Sequence, residues 1–214
     1  IKVRLRAHPN PSRVRRRESS RGIDSEVVVM QTRTDDEVVA QEGEAEKGLV
    51  IERRFTTAGA DPFDAFDWIE MSVEIRNPDG SLAHEIHGVQ LPSGFAGVPG
   101  KVCAQKYLRK AGVPAALRKV AEDGVPGWLQ RSEPDHEKLQ TLAPEDRFVG
   151  ETDGRELFRR LAGTWTYWGW THGYFASEAD ARAFYDEMAY LIASQRSAPN
   201  SPQWFNTGLN WAYG

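Results

Sequence analysis

The chain has 214 residues, enough for one sizeable core or two small ones. Its apolar share of 40% and charged share of 27% are those of a globular protein, and no apolar run is long enough to span a membrane. A net charge of -4 argues against a general nucleic-acid binder. The single cysteine, Cys103, excludes an internal disulfide and fits a reducing compartment, the cytoplasm.

Residues 1–22 are basic, from Lys2 and Arg4 to Arg15-Arg16-Arg17 and Arg21, and Pro9 and Pro11 break any helical pattern. Such an arm suits a phosphate backbone or an anionic surface, but it has no interleaved aromatics, and an ordinary solvated tail is the commoner use. Residues 24–47 turn acidic, through Asp35-Asp36-Glu37 to Glu46, with a short strand expected at Val27-Val28-Val29-Met30. Residues 1–47 are therefore expected to be a disordered or loosely ordered arm, with order beginning near Gly48. Leu49, Ile51 and Phe55 suit a strand or an extended arm.

From Trp68 to Arg76 the alternation predicts a half-buried strand, with Ile69, Met71, Val73 and Ile75 on one face. Asn77-Pro78-Asp79-Gly80 is a turn, and Ser81 to Leu91 is the returning strand. Its apolar phase shifts across Gly88, which predicts a bulge. His84 and His87 point to opposite faces of that strand, so they do not share a metal ion. Lys101 to Ala111 reads as a helix stopped by Gly112 and Pro114, with Cys103 as a small buried apolar group. Ala115 to Glu122 reads as a short helix. Residues 48–123 thus form a hairpin-and-helix subdomain, and residues 124–150 a mobile loop pinned by Trp128 and Leu129.

Residues 151–199 predict a helical subdomain. Thr152 is a candidate N-cap, and Leu157, Leu161, Thr164 and Trp165 recur at helical spacing to Trp168. The aromatics Trp165, Tyr167, Trp168 and Trp170 suit core packing, the commoner use, or stacking on a base or a corrin. Ser177 opens a second helix from Glu178 to about Ala198, with Phe184, Met188, Leu191 and Ile192 inward and Asp180, Arg182, Asp186, Glu187 and Arg196 toward solvent. Pro199 and Pro202 end it, and Asn200, Ser201, Asn206, Thr207 and Gly208 form a polar loop suited to an anion or a sugar. Trp204 and Phe205 anchor that loop as it turns into a strand. A rigid connection with no ligand is the plainer reading of these residue types.

The wording of three blocks adds to this. Pro199-Asn200-Ser201-Pro202-Gln203-Trp204-Phe205-Asn206-Thr207-Gly208, followed by Trp211-Ala212-Tyr213-Gly214, resembles the adenosylcobalamin-dependent (class II) ribonucleotide reductases. Gly48-Leu49-Val50-Ile51-Glu52-Arg53-Arg54-Phe55-Thr56-Thr57 and Leu161-Ala162-Gly163-Thr164-Trp165-Thr166-Tyr167-Trp168-Gly169 agree. The resemblance implies an α+β fold, a β-hairpin plus packed helices, forming an N-terminal region that leads into the first strand of an α/β barrel not contained in this chain. Residues 200–214 are then the substrate-binding loop and the approach to the catalytic barrel.

The resemblance also implies a function. In the family, adenosylcobalamin initiates a thiyl radical and a cysteine pair reduces the ribonucleotide. Catalytic residues are expected outside this chain, which alone should be inactive, and no metal site is expected. Substrate holding carries over to Ser201, less securely to Asn200, and by proximity to Asn206, Thr207 and Gly208. The complete enzyme is expected to take ribonucleotides, diphosphates in the first instance. It is expected to answer to deoxynucleotide effectors, to use a thioredoxin-like reductant, and to form a homodimer. A complementary C-terminal chain is the requirement if the polypeptide stops at Gly214. The alternative is a non-catalytic nucleotide-binding or interaction module derived from such a reductase. A nucleic-acid adaptor using the basic arm is the weakest reading.

Overall fold

The computed structural model describes residues 48–214. The basic and acidic arms and the strand expected at 27–30 lie outside the described residues. The elements in chain order are β1 (Trp68–Arg76), β2 (Leu82–Pro92), α1 (Val98–Val102), β3 (Val113–Pro114), β4 (Leu117–Lys119), β5 (Ser132–Pro134), α2 (His136–Gln140) and β6 (Phe148–Val149). Then follow α3 (Gly154–Thr171), α4 (Glu178–Ala193), α5 (Ser201–Asn206) and α6 (Leu209–Tyr213).

β1 and β2 form the expected antiparallel hairpin. Met71 pairs with Val89 but Val73 pairs with Ile86, so β2 carries one extra residue at the predicted bulge. Gly88 takes φ +67 there, the left-handed conformation a glycine adopts without strain. The bulge restores phase, placing both Val73 and Val89 in the core. That face packs on Leu157, Phe158 and Leu161 of α3 and on Ala189 and Ile192 of α4. Each fully buried Val, Leu, Ile or Phe among them contributes about 1.5–3 kcal/mol relative to exposure. β3 pairs with β6 and β4 with β5, giving two further two-stranded ribbons.

Several local expectations are corrected. The helix expected over 101–111 is shorter. α1 passes into a π-turn at Cys103–Tyr107, closed by Leu108 N–H donating to Cys103 C=O at 3.1 Å, and Leu108 is already extended. The helix expected over 115–122 is β4, because its register with β5 outweighs weak local helix propensity. The stretch 124–150 contains β5, α2 and β6. Leu129 is fully buried there, and Trp128 Nε1 donates to Glu178 Oε1 at 2.9 Å.

Asp153, not Thr152, caps α3 in a capping box with Glu156. Helix α4 stops at Ala193, before the prolines, with Gln195 at φ 57 just beyond it. Residues 201–213, read as a loop turning into a strand, form two short helices. Pro202 sits in the first turn of α5, where its missing N–H costs nothing.

Asp186 and Glu187, expected in solvent, are fully buried. The extended arm 48–57 lies over that face of α4 and excludes water from it. Ile51 N–H donates to Asp180 Oδ1 at 2.8 Å. Glu187 Oε1 accepts four hydrogen bonds, from the N–H groups of Arg54, Phe55 and Thr56 and from the Thr56 hydroxyl, at 2.7–3.0 Å. Burial would raise the Glu187 pKa, but these donors outweigh it and hold the carboxyl below its usual value. Asp186 is bracketed by Arg53 Nη1 at 2.7 Å and Arg182 Nε at 3.1 Å, yet burial wins there and its pKa is raised. The arm's wording thus has a structural use: three consecutive N–H groups and a threonine capture one buried carboxylate.

Candidate functional site

Helix α3 carries a charge on its apolar stripe. Arg160 falls three residues after Leu157 and beside Leu161, so it points inward and its side chain is wholly buried. A buried guanidinium demands partners for its fork of donors. Glu151, just before the α3 cap, supplies two: Arg160 Nε donates to Oε1 at 2.8 Å and Nη2 to Oε2 at 3.1 Å. The remaining reach goes to the C-terminal segment. Nη1 donates to the Thr207 carbonyl at 2.5 Å and Nη2 to the Trp204 carbonyl at 3.2 Å. Those are carbonyls at the end of α5, which a helix leaves without an internal partner.

Glu151 is shared more widely. Its Oε2 accepts from Arg109 N–H at 2.7 Å, and its Oε1 accepts from the Tyr213 hydroxyl at 2.5 Å. Burial, and then the neighbouring carboxylate, push the Tyr213 phenol well above its usual pKa. One buried ion pair therefore ties together α3, the stretch after the π-turn, α5 and α6.

Packing holds the same segment. Trp204 is buried, donates from Nε1 to the Pro199 carbonyl at 3.0 Å, and stacks on Tyr107 with centroids 5.1 Å apart. Gly208 sits at φ +83 between α5 and α6. A Cβ there would come within 2.6 Å of the Arg160 carbonyl and 2.3 Å of Thr164 Oγ1, so only glycine lets the backbone lie this close to α3. Trp211 lies over Gly163 of α3 and donates from Nε1 to the Leu129 carbonyl at 3.0 Å.

The five residues singled out from sequence fall around this anchored segment. Asn200 is exposed and its side chain makes no capping bond. Ser201 is exposed in the first turn of α5, its Oγ 3.3 Å from the Tyr107 hydroxyl. Asn206 lies between two open cavities, each of about 380 Å³. One is lined by Lys106, Arg109 and Lys110 with Phe205 and Asn206. The other includes Tyr167, Trp168 and Trp211 with Thr207 and Gly208. Ser201 and Asn200 line neither.

The aromatic block of α3 divides between two uses. Trp165 packs on the core, whereas Trp168 is half exposed beside the second cavity. Tyr167 donates to Glu122 Oε2 at 2.6 Å, and Trp170 Nε1 donates to the Gly124 carbonyl at 2.6 Å.

Cys103 is buried, and burial, reinforced by Glu151, pushes its thiol up to about 12, so it stays protonated and unreactive. His87, far along β2, is exposed and lies 3.2 Å from the Ser72 hydroxyl. A cavity of about 380 Å³ is near the lower limit for a drug-sized ligand, and a corrin with its nucleotide tail is larger. The residues described here therefore do not fit a cobalamin site by themselves, and none of them is assigned to one.

Glu151 and Arg160 were missed in the sequence. The signal available was a lone arginine on the apolar stripe of α3, three residues after Leu157. Nothing local pointed to Glu151 as its partner.

A helical platform thus holds a short, clamped Asn-Ser-Pro segment near two open cavities. Residues 69–195 match the family described as class II vitamin B12-dependent ribonucleotide reductase, in its N-terminal region, and the chain belongs to that family. The Asn-Ser-Pro segment, from Asn200, lies a few residues beyond the matched stretch. Relatives named vitamin B12-dependent ribonucleotide reductase include one from Bradyrhizobium diazoefficiens, 54% identical over 164 residues, and one from Agrobacterium fabrum, 52% identical over 164 residues. Each alignment covers 77% of this chain and 13% of the relative. A relative of the same name from Streptomyces avermitilis is 32% identical over 167 residues, covering 78% of this chain and 14% of its own length. The chain thus spans about one seventh of the length of the curated relatives it matches. Among the described residues no helix is long and apolar enough to cross a membrane.

Proposed function

We propose that this chain is the part of a ribonucleotide reductase that supplies one wall of the substrate site, ahead of the α/β barrel that carries out the reduction. Ser201 holds the ribonucleotide, with Asn200, Asn206, Thr207 and Gly208 around it. The substrate is a ribonucleoside diphosphate, reduced by thiyl radical chemistry on cysteines outside this segment. The cofactor is cobalamin in its adenosyl form, which supplies the initiating radical when bound. The enzyme works as a homodimer under deoxynucleotide control with a thioredoxin-like reductant.

The observation that supports this reading is the contrast within one segment. Its backbone is clamped by Arg160, Trp204 and the approach at Gly208, while the polar groups of Asn200, Ser201 and Asn206 face outward unburied. Binding energy is not lost to ordering when the loop is rigid beforehand. Replacing Ser201 by Ala tests the assignment in the full chain. The hydroxyl makes one long contact to Tyr107, so the fold should be unchanged by circular dichroism. Nucleotide affinity should fall about tenfold, the worth of one hydrogen bond to a charged group. Unaltered affinity for a ribonucleoside diphosphate would remove Ser201 from the site.

A further inference from the structure

The first cavity has an electrostatic character that the substrate-site reading did not use. Lys106, Arg109 and Lys110 line it within five residues of chain, and all three are exposed. None of the three side chains meets a carboxylate among the described residues. Among the described residues the Arg109 guanidinium donates only to the Ala111 carbonyl, at 3.1 Å. Glu151, the carboxylate nearest in bonding to this stretch, accepts the Arg109 backbone N–H but faces inward to Arg160 and Tyr213. Three like charges line one concave space with no ion-pair partner among the described residues, so they repel one another and raise the local concentration of anions.

The cations are carried on fixed backbone. The π-turn Cys103–Tyr107 ends at the buried Leu108, and π-turns inside helices concentrate at functional sites. Arg109 is held at both backbone groups: its N–H donates to Glu151 Oε2 at 2.7 Å and its C=O accepts from Glu151 N–H at 2.7 Å. Across the cavity stands the Phe205 ring, 39% exposed, next to the Asn206 amide, which has no partner among the described residues. Tyr107 links this wall to Ser201 through its hydroxyl and to Trp204 by stacking.

We infer that this cavity is a polyphosphate subsite, which takes the di- or triphosphate group of a nucleotide on Lys106, Arg109 and Lys110 and sets its nucleoside end against Phe205 and Asn206. Lysine and arginine side chains recognise phosphate oxygens by charge-assisted hydrogen bonds, and an exposed aromatic face accepts a base. The nucleotide rests on the function proposed above; the subsite itself does not depend on Ser201.

The test is calorimetric titration of the full chain with cytidine diphosphate, cytidine and inorganic tripolyphosphate, in the wild type, in the double variant Lys106→Gln/Lys110→Gln and in Ser201→Ala. Both lysines are exposed and have no ion-pair partner among the described residues, so the double variant is expected to fold normally, as circular dichroism checks. Cytidine diphosphate affinity is expected to drop about tenfold per lysine, roughly a hundredfold in the double variant, with cytidine affinity unchanged. Tripolyphosphate is expected to displace cytidine diphosphate from the wild type. A double variant that keeps its cytidine diphosphate affinity overturns the subsite, and if Ser201→Ala weakens binding in the same experiment the substrate-site reading survives without it. The reverse pattern, loss in the lysine variant alone, keeps the subsite and removes Ser201. A wild type that binds neither cytidine diphosphate nor tripolyphosphate sinks both.

Discussion

Substituting Glu151 by Gln strikes the buried pair that anchors the C-terminal segment. Both side chains of the pair are wholly inaccessible, so Arg160 would keep its charge with no counter-ion and no water. Breaking a buried pair in this way costs about 3–5 kcal/mol. Against a total stability of about 5–15 kcal/mol, that is about a fifth or more of the whole. Arg160→Met should cost at least as much, because the Trp204 and Thr207 carbonyls also lose their donors, at about 1–3 kcal/mol each. The double variant Glu151→Leu with Arg160→Met should cost less than the two single changes together, since neither charge is left alone. It should still fall short of the wild type by about 2–6 kcal/mol for the two orphaned carbonyls. Urea unfolding of the full chain at pH 7 measures all three. Hydrogen exchange at Ala212, whose N–H bonds the Gly208 carbonyl at 2.8 Å, reports whether α6 loosens first. A Glu151→Gln cost under about 1 kcal/mol, or costs that simply add in the double variant, would refute the reasoning that one ion pair holds the segment.

Other perturbations test the remaining contacts. Gly163→Ala places a Cβ about 2.1 Å from the Trp211 ring, so this substitution should cost about 1–3 kcal/mol by overpacking even though alanine is the better helix former; adding Trp211→Ala should relieve that strain, as paired thermal melts would show. Glu187→Gln should destabilise the chain by about 2 kcal/mol at pH 7 by weakening four hydrogen bonds to one oxygen. The folded-state pKa of Glu187 lies below the ordinary 4.5, so its contribution is complete above that value and is lost as pH falls through the folded pKa. Wild type and variant should therefore converge in urea titrations run at progressively lower pH below 4.5, and a constant gap would contradict the assignment. Cys103, with its thiol pushed up to about 12 and buried, should resist iodoacetamide at pH 8 in the folded chain and react fully in urea, which peptide mass mapping would reveal.

The sequence was most legible where local rules and burial agree. The alternation of Trp68–Arg76, the phase shift at Gly88 and the Ser177 cap each act over a few residues, so period and turn chemistry sufficed to read them. The wording of the arm, of the α3 block and of the Asn-Ser-Pro segment pointed to the family that the match over 69–195 establishes. It did so before any contact was known, because those residue types at those spacings are specific.

What the tertiary structure alone decided is how charges and short elements are used. Asp186 and Glu187 look like solvent-facing residues of an amphipathic helix, and only the arm laid over α4 buries them. Residues 117–119 become a strand because β5 lies beside them, and two or three residues carry too little local preference to resist that pairing. The segment read as a loop running into a strand coils into α5 and α6, where Arg160 beneath donates to the carbonyls at the end of α5. A local pattern records the preferences of neighbours in the chain. The partner of a buried charge sits elsewhere in sequence, and a guanidinium that must be satisfied selects it only once the helices are packed.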